Sequence, residues 1–95
     1  MAVKIILTRK VPEDKADRFL TLLIRLRSAT MGQPGYIAGE TLRRVDQPGE
    51  WVVVSKWQRR YDWDQWCQNP QREAIQQEID TLLGAATEIA VYEYE

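Results

Sequence analysis

Residues 33–66 read QPGYIAGETLRRVDQPGEWVVVSKWQRRYDWDQW. Pro34-Gly35 is turn chemistry, after which Tyr36 to Val45 reads as a strand and Asp46-Gln47-Pro48-Gly49 supplies a second turn. Glu50 to Trp57 is the return strand, dense in β-branched and aromatic residues. The pair is a hairpin with a long loop. It runs directly into Arg60 to Gln68, where Trp63 and Trp66 stand three apart on one face of a short helix. Asn69-Pro70 must break that helix, because proline pushes the preceding residue out of the helical region. Asn69 can then cap, and Pro70 open, a second helix.

The flanks complete the pattern. Residues 2 to 10 alternate Val3, Ile5 and Leu7 against Lys4, Ile6 and Thr8, a strand signature. Pro12 suits a first helical turn, and Glu13, Asp14 and Asp17 place negative charge at the positive end of its dipole. Ala16, Phe19, Leu20, Leu23, Leu26 and Ala29 form the stripe of that helix, which is predicted to stop near Met31 with Gly32 as a left-handed cap. Ile75, Ile79, Leu82 and Leu83 give the last helix its apolar face, and Gly84 ends it. Glu88 to Tyr94 alternates as a final strand. The order β-α-β-β-α-β, with its second helical region split at Asn69-Pro70, predicts a ferredoxin-like α+β domain over residues 1–95: a four-stranded antiparallel sheet with the helices on one face.

Helices cover one face of such a sheet, yet strand three is apolar on both parities: Trp51, Val53 and Trp57 on one, Val52 and Val54 on the other. The uncovered face is expected to bury itself against a second copy, giving a homodimer through sheet faces.

Composition removes many functions. A net charge of -1 gives no general reason to expect nucleic acid or an anionic membrane as partner. The basic pairs Arg9-Lys10, Arg25/Arg27, Arg43-Arg44 and Arg59-Arg60 read as a solvated rim, and Asp62/Asp64 as solvated helix-start charges. Cys67 is the only cysteine, which forbids an internal disulfide and a multi-thiolate metal site, and there is no histidine. The thiol also lacks a base nearby in sequence, so it reads as a small hydrophobe. No apolar run reaches membrane-span length and Met1–Lys10 does not read as a signal peptide, so a cytoplasmic location is expected. No metal and no cofactor are expected.

The stretches PGYIAGETLRR, WVVVSKWQRRYDWDQWCQNPQREA and EIAVYEY together resemble the antibiotic-biosynthesis-monooxygenase family of dimeric α+β barrels, over almost the whole chain. The carriers are Pro34-Gly35-Tyr36, Trp57 closing strand three, the aromatic helix ending at Trp66, and the Asn69-Pro70 step. The resemblance implies haem-degrading or quinone-forming chemistry. The haem branch uses an asparagine on strand one, a tryptophan matched by Trp66, and a histidine ligand whose position falls near Gln76; an amide is a poor iron ligand, which excludes that mechanism here. The quinone-forming branch uses no flavin or metal. It relies on an asparagine at the position of Val53, a tryptophan matched by Trp57, and an arginine near Gln76. Arg72 lies one turn away and can replace that arginine only by turning inward.

The expectation is therefore a cofactor-independent monooxygenase acting on an aromatic, phenolic or quinol-like small molecule. Its needs are few: a dry pocket, a group that accommodates the substrate's proton, and room for oxygen. Trp57 is the candidate catalytic residue, offering its indole N–H to a developing oxyanion. Tyr36, Glu40, Trp66, Arg72, Gln76 and Tyr92 are the candidate substrate-binding residues. Each has a plainer reading: the tryptophans as core, the tyrosines as packed rings with wet hydroxyls, Glu40 as a partner of Arg43 or Arg44. The alternative function is a catalytically silent dimeric ligand-binding or accessory domain. A cavity on the order of a few hundred cubic ångströms beneath Trp57, with a polar group inside, would support ligand binding, and a filled core would end the enzyme reading.

Overall fold

Alternation in the first strand sets the layering. A computed structural model describes all residues, 1–95. In β1 (Val3–Lys10), Val3, Ile5, Leu7 and Arg9 are buried towards the helices while Lys4, Ile6 and Thr8 are half-exposed on the other face. The chain continues through a 3-10 turn (Glu13–Lys15), α1 (Ala16–Met31), β2 (Tyr36–Arg43), β3 (Glu50–Trp57), α2 (Arg60–Cys67), α3 (Pro70–Leu83) and β4 (Glu88–Glu93). The strands lie in the order β2-β3-β1-β4 and every neighbouring pair is antiparallel. This is the expected ferredoxin-like arrangement, with α1 and α3 packed against each other over one sheet face. No helix is long and apolar enough to cross a membrane.

Local chemistry explains the boundaries. Asn69 Oδ1 accepts from Gln71 N at 2.8 Å, and Pro70 occupies the first turn of α3. Gly84, at φ 69°, closes that helix in the left-handed conformation. Gly32 does not play this role: its φ is -90°, and the left-handed residue of the loop is Gly35 at φ 83°. Pro12 is extended, so the regular helix starts only at Ala16, after the 3-10 turn. Leu20, expected on the α1 stripe, is exposed; Phe19, Leu23 and Leu26 at i, i+4 and i+7 define the buried line and leave it on the flank.

The core is aromatic. Trp57 is fully buried, with Tyr36 edge-on at 5.4 Å between ring centroids and Trp63 at 5.8 Å. Phe19 meets Trp51 edge-on at 5.4 Å. Such pairs contribute ~0.5–1.5 kcal/mol each beyond the area they bury. A bulge in β2 sets the last positional detail. Tyr36 pairs with Trp57 and Ala38 with Lys56, so Ile37 is an inserted residue that reverses the parity after it. Tyr36, Gly39 and Thr41 consequently share the helix-facing side, while Ala38, Glu40 and Leu42 turn to the open face.

Candidate active site

The inward face of the β2-β3-β1 sheet and the helices above it enclose a cavity of about 50 Å³, counted as room for the centres of water molecules. One water needs about 10–15 Å³ on that measure, so the space suits a small ligand and falls short of a pocket for a large polycycle. Leu7, Leu23, Leu26 and Val53 supply apolar wall, and Tyr36, Trp57, Trp63 and Trp66 the aromatic wall. Ser55, Thr30 and Thr41 bring hydroxyls, and Arg9, Arg27 and Arg72 bring charge.

Trp57 stands where expected but its donor is already used. Its Nε1 donates to Ser55 Oγ at 3.0 Å, two residues back on the same face of β3. The indole is thereby fixed as a wall, and the hydroxyl of Ser55 is oriented by it. Trp66 is buried in the same wall, and Tyr36 lies against Trp57. Arg72 does turn inward: it is 4% exposed, its Cζ lies 5.2 Å from the Trp63 ring centroid, and its Nη1 donates to the Cys67 carbonyl at 3.4 Å.

Two candidates are placed differently from the sequence reading. Glu40 borders the cavity through its main chain only, because the bulge at Ile37 sends its side chain to the open face opposite Val54. Tyr92 pairs with Lys4, is 54% exposed, and stands on the open face too, so it takes no part in this cavity. Gln76 is buried beside the site without lining it. Its Oε1 accepts from Arg9 Nη2 at 2.8 Å, and its Nε2 donates to Asp80 Oδ1 at 2.8 Å and to Thr87 Oγ1 at 2.6 Å.

Arg9 is the residue that sequence reasoning missed. It is no rim residue: it is 3% exposed, its Nε donates to Thr87 Oγ1 at 2.9 Å, and its Cζ lies 5.8 Å from the Phe19 ring centroid. Thr87 Oγ1 in turn donates to Asp80 Oδ1 at 3.2 Å, so Arg9 reaches a carboxylate only through neutral groups. Burial, then repulsion from Arg72, lowers the Arg9 guanidinium to about 10, against a smaller opposing pull from Asp80. Burial also pushes Arg72 down. The signal was available in β1, where Arg9 continues the inward parity of Val3, Ile5 and Leu7. Asp62 is likewise no solvated charge. It is buried beneath Gly35, and Arg59, donating to it at 2.9 and 3.1 Å, holds its carboxyl below the usual range.

No group of three or more histidine, cysteine, aspartate or glutamate side chains stands close enough to hold a metal ion. Chemically, the site offers an aromatic wall for a planar ring and positive charge from Arg9 and Arg72.

The backbone is widely shared. A conserved protein of Methanosarcina mazei Go1 superposes with a TM-score of 0.92 at 20% identity, covering 100% of this chain and 94% of that one. SnoaB of Streptomyces nogalater, described as a cofactor-independent oxygenase, gives 0.85 at 17% identity over 99% and 93% of the two chains. Rv0793 of Mycobacterium tuberculosis gives 0.87 at 18% identity over 100% and 96%. At these identities the likeness establishes the fold alone. A comparison with curated protein sequences finds no match. The model of the family described as antibiotic biosynthesis monooxygenase matches residues 2–78, from β1 through most of α3 and so across every strand and helix that walls the cavity, and the chain belongs to that family.

Proposed function

We propose that the protein is a cofactor-independent monooxygenase that binds a small phenol or quinol as its anion. One observation carries the reading: a cavity walled by Tyr36, Trp57, Trp63 and Trp66 is also lined by two buried guanidinium groups, those of Arg9 and Arg72. Membership of the family described as antibiotic biosynthesis monooxygenase supports the same chemistry. The volume of the cavity favours a single ring over a polycycle.

A positive, water-poor pocket lowers the substrate's pKa, so the phenol is held as phenolate with its proton given up to solvent on entry. The phenolate supplies both electrons to O₂. A hydroperoxide forms at a ring carbon bearing hydrogen, and loss of water from it leaves a carbonyl, so that CH₂ plus O₂ becomes C=O plus H₂O. Arg72 and Arg9 hold the developing negative charge, and the aromatic walls hold the ring in one plane. Trp57 acts as a wall fixed by Ser55, in place of the oxyanion donor that its position alone suggested. The test is aerobic incubation with a panel of single-ring phenols and quinols, following quinone absorbance and incorporation of oxygen from labelled O₂, with and without a chelator. Turnover that persists with chelator and falls at least about tenfold in Arg72→Leu is the expected result; no acceleration over buffer across the panel removes the oxygenase reading.

A silent ligand-binding domain is the second reading, and a specific observation favours it. The indole N–H of Trp57 is already satisfied and the cavity is small. It predicts ring binding without turnover on the same panel. We further propose that two copies pair through their open sheet faces and, given the single thiol Cys67, that the protein works in the cytoplasm.

A further inference from the structure

We propose that Arg9 and Arg72 form a receptor for a carboxylate, and that the natural ligand is a small aromatic monocarboxylate whose ring lies along the tryptophan wall. This deepens the reading of the same cavity by naming its ligand class, with a carboxylate at the two guanidiniums in the place that the phenolate oxygen takes in the oxygenase reading, and it requires no turnover. Arg9 Nη1 and Arg72 Nη2 are buried side-chain nitrogens to which no protein group offers an acceptor. Neither arginine belongs to any ion pair, although the chain forms five elsewhere. Two such cations in one apolar pocket are costly unless something anionic joins them.

Geometry selects the anion. Guanidinium is planar and presents parallel N–H donors, a match for the two oxygens of a carboxylate. Arg72 is held in orientation by the Trp63 ring and the Cys67 carbonyl, and Arg9 by Thr87 and Gln76, so the free edges are preorganised. Asp80 offsets part of the positive charge through Gln76 and Thr87, which suits a monoanion better than a phosphate dianion. Much of the remaining wall is leucine, valine, tyrosine and indole, which suits an aryl body, with the hydroxyls of Thr30, Thr41 and Ser55 between them.

Benzoate, which the proposed chemistry does not oxidise, is the probe, with the isosteric neutral benzamide as control. Binding is read by tryptophan fluorescence and calorimetry, and by the rise in Tm of the intact protein. Benzoate is expected to bind about tenfold or more tightly than benzamide, and Arg9→Met and Arg72→Met each to lose at least about tenfold in benzoate affinity. Arg72→Lys, which keeps the charge without the fork, guards against a folding artefact: it should fold as wild type by circular dichroism and still bind more weakly. Equal binding of benzoate and benzamide, displacement by equimolar chloride, or no benzoate binding at millimolar concentration each overturns the proposal. Benzoate binding with no turnover on the quinol panel leaves this inference standing and removes only the oxygenase; turnover without benzoate binding does the reverse.

Discussion

Arg9 shows how far a single residue can depart from what its type suggests. A basic doublet at a strand end reads as solvent-facing, because charge is rarely buried without a partner. Position decided otherwise: the parity of β1 turns Arg9 inward, and Gln76, Thr87 and Phe19 receive it. Trp57, Tyr36 and Trp66 were legible because aromatic residues at strand and helix spacing nearly always face a core. Arg9 was legible only through the inward parity of β1, against the habit of its residue type, and the burial of Asp62 was not legible, since it depends on packing under Gly35, distant in sequence. Burial of the Arg9 charge has a pH signature. Lowering its pKa to about 10 withholds on the order of a few kcal/mol from folding. The unfolded chain keeps this proton to higher pH than the folded one, so the penalty is fully present below about pH 10 and is released as pH rises from there towards the ordinary guanidinium range. The unfolding free energy of wild type should therefore gain on that of Arg9→Met by about 1 kcal/mol between about pH 9 and 11, measured from urea midpoints. A difference that stays flat over that interval would mean that the guanidinium is no worse off inside than in water.

At the scale of elements, the turns and helix ends were the most readable part of the sequence. Pro34-Gly35, Pro48-Gly49, Asn69-Pro70 and Gly84 all fall at the boundaries their chemistry dictates. The β2 bulge was not readable, because Ile37 is an ordinary strand residue and only the pairing with Lys56 and Trp57 reveals it. That one inserted residue decides which of Tyr36 and Glu40 faces the cavity. Gly35 links two elements more tightly than a turn requires. Its main-chain oxygen accepts from Gln58 N at 2.8 Å, and a Cβ placed on it would stand 2.3 Å from the Asp62 carboxyl carbon in α2. Gly84 has the same sign of φ but nothing within 4 Å of an added Cβ. Alanine at Gly84 should therefore cost ~1 kcal/mol, the conformational penalty alone. Alanine at Gly35 should cost at least ~2 kcal/mol more, because α2 or the Arg59–Asp62 pair must move. Denaturant midpoints of the two variants measure the difference, and equal losses would show that Asp62 yields freely.

For the whole molecule, the sheet order and the one-sided helix layer followed from the alternation of apolar residues, but a single chain leaves the other face of the sheet bare. Ile6, Val54 and Glu40 stand in a row across β1, β3 and β2 on that face, with Val52 and Leu42 beside them. Leu42 and Tyr92 are about half exposed. The patch is apolar at its middle and carries both signs of charge, with Lys4 and Lys56 flanking the Tyr94 ring at 5.8 and 5.0 Å and Glu40 and Glu88 elsewhere on the same face. The proposed two-fold pairing would bury this apolar middle against itself, since one surface meets its own copy. Val54→Glu puts a charge at the centre of that contact while leaving the helix-facing core untouched. In sedimentation velocity at micromolar concentration, wild type should run as a dimer and Val54→Glu as a folded monomer. Leu20→Lys, on the exposed flank of α1, should leave the dimer intact. A wild-type monomer at tens of micromolar would mean that water, not a second copy, covers the sheet. The cavity would then have to work with the walls one chain supplies.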